Sequence, residues 1–296
     1  MSFTRIFVTG ATGEIGRALI PRLAEKFEIE SLVRDAHASS ILPAHVHPVV
    51  GDLRKSETYS DALSTCDAVV HLGALTHDTN LARLREVNVN ATRALAERMG
   101  KQKLIVASSA AVTQTFRTPY AQSKLEMENI LREMGNPATI IRPTLVYGPH
   151  TRFTRLLCRA ADGFFPWITL PNNGSAHVDP VHVQDVSASI LALLNRKTRD
   201  PQTYDICPPA HATLRQCFEW ACMARGKKKH FWSPPQFLVE GTARWAQKWG
   251  APAPAMVYSV AAIGYSYIVD PRPFQAAYGV EFIPPATGIL VSVRDA

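Results

Sequence analysis

The sequence is poor in cysteine, and its five cysteines (Cys66, Cys158, Cys207, Cys217 and Cys222) form no CxxC pair and no metal-ligand spacing with histidine. The count is odd, and the chain opens Met1-Ser2-Phe3-Thr4-Arg5 rather than with an apolar leader and cleavage site. Both features point to reduced thiols in the cytoplasm. Neither a disulfide framework nor a structural metal is expected. No apolar run reaches the length of a bilayer span, and the longest are interrupted by charge. Repeats and low-complexity tracts are lacking as well. The net charge of +7 comes without the interleaved aromatics or reading motif that a nucleic-acid binder adds. Such a charge implies no more than non-specific attraction, and no nucleic-acid partner is expected.

What is present is material for a core. Hydrophobic residues make up 46% of 296, which excludes a disordered chain and allows one large domain or one domain with a smaller lobe. The first half alternates short β-branched runs with longer amphipathic stretches. Strands are expected at Ile6–Val8, Ile29–Val33, Val46–Val50, Ala68–Leu72, Leu104–Val106 and Ala138–Ile141. Helices are expected over Ile15–Lys26, Leu81–Met99 and Tyr120–Met134. Apolar strands separated by helices need crossover connections, which gives an α/β fold with a doubly wound parallel sheet covered on both faces. After Pro143 prolines cluster and the alternation fails, until a helical stretch over Val181–Leu194 returns toward the sheet. The expected division is a core of residues 1–143, rejoined by about 181–206, and a smaller discontinuous C-terminal lobe of 144–180 and 207–296.

Thr9-Gly10-Ala11-Thr12-Gly13-Glu14-Ile15-Gly16 follows the first strand and opens the first helix. Glycines at that junction let the backbone turn tightly, let a diphosphate approach the amides, and let helix pack on strand. The helix start adds unpaired N–H groups and a positive dipole end. A dinucleotide cofactor is the expected ligand. An acidic residue at the end of the second strand would accept from a ribose 2′-hydroxyl, whereas an arginine would hold a 2′-phosphate. The sequence reads Leu32-Val33-Arg34-Asp35 there. Arg34 favours NADP(H); Asp35, one residue on, leaves NAD(H) open.

In Tyr120-Ala121-Gln122-Ser123-Lys124 the phenol and ammonium stand one helical turn apart and share a face. Thr118-Pro119 reads as a cap with a first-turn proline, placing Tyr120 near the positive helix end. Ser108-Ser109 ends the preceding strand, where a parallel sheet opens onto its cofactor cleft.

These segments, with Gly51-Asp52-Leu53, His71-Leu72-Gly73-Ala74, Asn88-Val89-Asn90-Ala91-Thr92 and Ile141-Arg142-Pro143-Thr144-Leu145-Val146-Tyr147-Gly148-Pro149, occur in an order that resembles the extended short-chain dehydrogenases. That group includes nucleotide-sugar epimerases and dehydratases, dihydroflavonol-type reductases and 3β-hydroxysteroid dehydrogenases. The resemblance is good over roughly the first 190 residues and poor beyond. It implies a Rossmann-type core, with Asp52 at the adenine and Leu53, Leu72, Gly73, Ala74 and Pro143 among the cofactor-binding residues. It implies further that Asn88 supports the site, that Ser109 is the catalytic hydroxyl and Tyr120 the acid/base. Lys124 would bind the nicotinamide ribose and lower the phenol's pKa. Val181-His182-Val183-Gln184-Asp185 resembles the family's later segment, where the chain returns to the cofactor domain; His182 itself reads as a core or hydrogen-bonding residue.

Two departures bear on the substrate. The loop from Ser109 to Tyr120 is short, and the arginine that nucleotide-sugar members carry before the His182 segment is replaced by Ala176-His177-Val178-Asp179. Histidine is a poor substitute for a bidentate phosphate clamp. The Arg152/Arg155/Arg159 stripe could compensate, or be a solvated helix face. Trp220, Phe231, Trp232, Trp245 and Trp249 enrich the late lobe in aromatics suited to an apolar pocket, and Trp245 and Trp249 share a helical stripe with Phe237 and Gly241. The expected activity is hydride transfer between NADP(H) and a carbonyl or alcohol carbon of a small, apolar substrate. Nucleotide-sugar epimerisation or dehydration is the alternative, and a non-catalytic dinucleotide sensor a second one. The expected partner is a small molecule; a homodimer is compatible with the chain, and membrane contact would be peripheral at most.

Overall fold

The computed structural model describes residues 4–35, 37, 40–135, 138–196, 201–235, 237–238, 241 and 262–296. Its strands are β1 (Arg5–Thr9), β2 (Glu28–Val33), β3 (His47–Val50), β4 (Ala68–His71), β5 (Lys103–Ala107), β6 (Ala138–Pro143), β7 (Val146–Tyr147), β8 (Trp167–Thr169), β9 (Val181–His182), β10 (Thr203–Ile206) and β11 (His230–Trp232). Its α-helices are α1 (Glu14–Ala24), α2 (Ser60–Ser64), α3 (Leu81–Leu84), α4 (Ala91–Arg98), α5 (Pro119–Glu133), α6 (Arg152–Asp162), α7 (Val183–Asn195), α8 (Leu214–Ala224), α9 (Arg272–Tyr278) and α10 (Pro285–Arg294).

Seven strands form one parallel sheet in the order β10-β6-β5-β4-β1-β2-β3. Successive side chains of a strand point to opposite faces, and here both faces are apolar. Ile6, Val8, Val70, Ile105 and Ile141 enter one core with α1 and α7. Phe7, Val69, Leu104, Val106 and Ile140 enter another with α4 and α5. The chain winds from β1 outward to β3, then returns to β4 on the other side of β1. Strand order therefore reverses between β1 and β4, and a crevice opens at their carboxyl ends, where ligands bind in such sheets.

The expected core elements are found with ends shifted by a residue or two, and two departures are informative. Val181–Leu194 is not one helix: Val181 and His182 pair with β7, and α7 starts at Val183. The His182 ring causes the break, because its Nδ1 accepts the Gln184 N–H at 3.2 Å and so caps the helix. The helix expected over Leu81–Met99 is interrupted by a π-turn at Arg85–Asn90. The Thr92 hydroxyl donates to the Asn88 carbonyl at 2.9 Å while the Asn88 side chain is drawn out to other elements, and π-turns of this kind gather at functional sites.

A third cluster lies beyond the sheet and draws on α6, α8 and α10, through Phe153, Leu157, Leu214, Phe218, Ile289 and Val293. Trp245 and Trp249 of the expected aromatic stripe lie outside the described residues. Among the described residues no helix is long and apolar enough to cross a membrane.

The sheet is tied to α5 by a buried ion pair. Arg142 of β6 donates to both Glu128 carboxylate oxygens at 2.8 and 2.5 Å, and Arg132 adds a bond of 2.8 Å from the partly solvated side. Burial raises the Glu128 pKa, but Arg142, Ser108 and Arg132 outweigh it and hold the group below its ordinary value. Its stabilisation is therefore present above the unfolded pKa and lost as pH falls through the folded one. Glu128→Gln removes the hydrogen-bonded partner of Arg142 and leaves it only the electrostatic attraction of Asp205, which should cost up to about 3–5 kcal/mol in urea melts. Arg132→Gln, which removes only the half-exposed partner, should cost less than about 1 kcal/mol. Equal losses in the two variants would mean that burial of the pair does not set its worth.

Candidate active site

The crevice starts at the glycine loop. Gly10 has φ +75°, and a Cβ there would come within 2.7 Å of the Leu72 carbonyl carbon and the Gly73 nitrogen. A Cβ on Gly16 would fall 2.3 Å from the Gly10 oxygen and 2.5 Å from that of Ala11. Only glycine at these two points lets β1, the end of β4 and α1 meet. Gly13, half-extended at φ −76° and ψ 178°, opens α1 without any side-chain cap. The first N–H groups of a helix have no intrahelical partner, so those following Gly13 are available at Glu14, Ile15 and Gly16. These residues fit a diphosphate-linked dinucleotide: the backbone is bare, the helix is uncapped, and Thr12 and Gly13 line a cleft of about 490 Å³. Glu14 turns aside to accept the Arg152 N–H at 2.8 Å. Arg152 and Arg155 of α6 face this cleft, while Arg159 lines a different one.

A buried polar chain runs from this loop toward the reaction centre. His71 lies between Thr9 Oγ1, 2.7 Å from Nδ1, and Thr92 Oγ1, 2.8 Å from Nε2. Burial and then the Lys124 charge press its pKa down to about 3, so the ring is neutral. The Thr92 proton goes to the Asn88 carbonyl, so Thr92 Oγ1 must accept from Nε2–H and Thr9 must donate to Nδ1. Thr9 Oγ1 in turn accepts the Gly73 N–H at 3.0 Å. One tautomer satisfies every member. Asn88 continues the chain: it accepts the Leu75 N–H at 2.8 Å and donates to the Leu75 carbonyl at 2.9 Å and to Ser123 Oγ at 3.0 Å. Leu72, Gly73 and Ala74 are thus positioned from both ends.

Ser109 and Tyr120 meet where β5 ends and α5 begins, and Lys124 follows one turn along α5. Thr118 caps α5 by accepting the Ala121 N–H at 3.1 Å, with Pro119 in the first turn. Ser109 caps the short turn Ala110–Thr113, its Oγ accepting the Ala111 N–H at 3.2 Å. Burial raises the Tyr120 phenol to about 12, and a hydrogen bond from Ser109 is the one influence pulling it down. Lys124 does not take that part in this arrangement. Its ammonium is buried, needs an oxygen acceptor, and donates to the Ala107 carbonyl at 2.7 Å. Burial lowers the Lys124 pKa to about 8, against the attraction of Glu128. Ser108, the other serine of the pair, is buried on the Glu128 side.

The remaining expected residues stand around the crevice. Arg34 and Asp35 follow β2 and are both exposed. Asp52 is engaged by Arg54 of its own loop, 2.6 Å away, which holds the carboxyl below its ordinary value. Leu53 packs against the Gly73 side, and Pro143 ends β6 opposite Ile206.

Residues with no warning in the sequence close the site from the lobe. Gln114 donates to the Ala262 and Tyr265 carbonyls at 3.1 and 2.7 Å, Phe116 stacks on Tyr265, and Thr113 accepts the Ile268 N–H at 3.0 Å. Burial and the neighbouring Tyr120 phenol both push the Tyr267 phenol up. A segment some 150 positions along the chain is thereby clamped over the serine–tyrosine pair. No local motif marks it.

Comparison with known proteins fits this geometry. A model of the NAD dependent epimerase/dehydratase family matches residues 6–207, more than half the chain. The chain belongs to this family. A ceramide reductase from Caulobacter vibrioides is 30% identical over 191 residues, 63% of this chain and 60% of that protein. The mitochondrial NADH dehydrogenase [ubiquinone] 1 alpha subcomplex subunit 9 of Dictyostelium discoideum is 25% identical over 209 residues, 67% of this chain and 57% of its own. The chain thus spans about three fifths of the length of these curated relatives. Among solved structures, the UDP-glucose 4-epimerase of Thermus thermophilus in complex with NAD superposes with a TM-score of 0.76, covering 98% of both chains at 22% identity. That likeness confirms the fold.

Lys124 titrates near 8 and loses its charge as pH rises through that value. If the ammonium holds the cofactor, affinity for the reduced nicotinamide dinucleotides NADH and NADPH, read by fluorescence titration, should weaken across this range. Lys124→Met should bind more weakly and without that pH dependence. A wild-type affinity that stays flat through the range would remove Lys124 from the cofactor site.

Proposed function

We propose that the chain is an NADP(H)-dependent oxidoreductase that moves a hydride between the nicotinamide and a carbonyl or alcohol carbon of a small, apolar substrate. The observation that carries this reading is the Tyr120 phenol hydrogen-bonded by Ser109 where β5 ends and α5 begins, with the buried Lys124 ammonium one turn further along the helix. At neutral pH a phenol keeps its proton and can give it up as the acid that a carbonyl reduction requires. When bound, the nicotinamide supplies the hydride that goes to the carbonyl carbon. Ser109 hydrogen-bonds the carbonyl oxygen and fixes its distance from Tyr120. Tyr120 gives its proton to that oxygen as negative charge develops, and the alcohol leaves. The reverse passage oxidises an alcohol, with Tyr120 as the base.

Arg34 supports NADP(H): it stands exposed directly after β2, where a 2′-phosphate is gripped in this type of sheet. Asp35 and the NAD-holding structural neighbour keep NAD(H) as the second choice. An apolar substrate is supported by the apolar character of the lobe, whose cavity of about 490 Å³ is lined by Leu156, Ile168, Leu170, Leu214, Phe218 and Ile263 together with Arg159; Ser109, Tyr120 and Lys124 do not line it. The alternative is a nucleotide-sugar epimerase or dehydratase, for which Arg152 and Arg155, 3.9 Å from Glu14 in the cleft beside Gly13, would have to serve a second diphosphate as well as the cofactor's.

Three measurements test the reading. Tyr120→Phe should leave folding and cofactor binding intact while lowering kcat by roughly 10²–10⁴-fold; comparable turnover in the variant would sink the assignment. Arg34→Asp should reduce NADP(H) affinity at least about tenfold, because a charge-assisted bond to phosphate is replaced by repulsion. Unchanged NADP(H) affinity would hand that role to another residue. Calorimetry with UDP and UDP-sugars should show no binding, and micromolar binding with no oxidation of NADPH by carbonyl compounds would favour the epimerase.

A further inference from the structure

Apart from the reaction centre, the cluster with the most chemical potential is His177, Asp179 and His211. Each offers one ligand atom, and the three atoms lie within 4.8 Å of one another. They come from two segments fixed side by side by the backbone. Val178 and Asp179 donate their N–H groups to the Ala212 carbonyl at 3.0 and 3.1 Å, Leu214 donates to Ala176 at 2.9 Å, and His177 pairs with Thr213 in an antiparallel bridge.

Asp179 is the anchor. It is buried and held at φ +36°, a left-handed conformation that side chains seldom adopt. Thr144 Oγ1 grips its carbonyl at 2.6 Å, and the Ala212 N–H takes Oδ1 at 2.8 Å. Oδ2 is left to face His211 Nδ1 at 3.0 Å. The two imidazoles are exposed, with ring centres 5.8 Å apart at 82°, so both can turn toward that oxygen. The His211–Asp179 pair joins an exposed imidazole to a buried carboxylate and leaves the His177 ring beside it uninvolved.

We propose that His177, Asp179 and His211 form a binding site for a divalent transition-metal ion of the zinc class. Two imidazoles and one carboxylate are the donor set that such ions take, whereas magnesium and calcium prefer oxygen alone. The 3.0 Å between Oδ2 and Nδ1 is close to the spacing of about 3.3 Å that bonds of about 2.0 Å give at a tetrahedral centre. A small outward turn of His211 admits the ion, and His177 closes the third position. Coordination is completed by water or by an oxygen of a bound ligand.

The site borders the reaction centre. The His177 carbonyl accepts the Tyr267 N–H at 3.0 Å, and the His177 N–H donates to Ser266 Oγ at 3.0 Å. The ion therefore braces the segment that carries Tyr267 beside Tyr120. This inference does not depend on the choice between reductase and epimerase.

The test is Zn²⁺ binding to the full, chelator-treated chain, by competition with a chromophoric chelator, with Co²⁺ absorption as the second readout. One ion should bind at micromolar or tighter affinity and raise the melting temperature. The His177→Ala/His211→Ala double variant should lose at least about 100-fold in affinity, since outer-shell partners alone can be worth that much. Asp179→Asn tolerates the left-handed backbone and keeps an acceptor for the Ala212 N–H, so it should fold normally and still bind more weakly. The Co²⁺ spectrum should show nitrogen and oxygen ligation without a thiolate band. Three results would each overturn the site: no binding at micromolar Zn²⁺, affinity unchanged in both variants, or a thiolate band from the cysteines.

Discussion

The arrangement depends on a contact from which side chains are excluded. β1 and β4 end against each other with nothing but hydrogen on Gly10 between them, and α1 leaves the same point across Gly16. That bare junction sets the depth of the crevice. It brings the Thr9 hydroxyl within reach of both His71 and the Gly73 amide, and so starts the polar chain that ends at Ser123 in α5. A methyl group at either glycine would separate the strands and misalign every later member. The buried chain works because each proton has one place to go, and it joins the cofactor side of the crevice to the helix that carries Tyr120 and Lys124.

Tyr120 and Lys124 illustrate how burial rather than pairing sets proton affinities here. Both groups are displaced toward their neutral forms, the phenol upward and the ammonium downward. Desolvation penalises charge of either sign. The phenol is thereby kept as a proton donor, while the ammonium is left close to its titration midpoint near neutrality. Ser109 is the near influence on the phenol, which a reading of the Tyr-x-x-x-Lys spacing alone does not reveal.

Much of the core was legible because its signals are local. Ile6-Phe7-Val8 followed by three spaced glycines, Thr118-Pro119 ahead of Tyr120, and Ser109 at a strand end are patterns within a few residues of one another. What escaped is non-local. Gln114 meets Tyr265, Glu128 meets Arg142, and His177 meets His211 only after the chain has folded. His177 has Asp179 two positions on, but the second imidazole, His211, stands 32 positions beyond Asp179. The π-turn at Asn88 was hidden for a related reason: the apolar periodicity runs straight through it, and the bonds that distort the helix come from Leu75 and Ser123. His182 starts the helix two residues later than periodicity would have it, because a side-chain cap outweighs one more apolar position, Val181.

The lobe carries a consequence in time rather than space. Its core joins Phe153 and Leu157 of α6 to Leu214 and Phe218 of α8 and to Ile289 and Val293 of α10. The six strands from β1 to β6 can pair once the first half of the chain has emerged from the ribosome, and β10 then adds at the sheet edge. The apolar face of α6 must wait for partners made at the far end of the message. Contacts of such high sequence separation form slowly, and unsatisfied apolar surface invites association meanwhile. The apolar face of α6 is therefore among the last surfaces of the chain to find its cover.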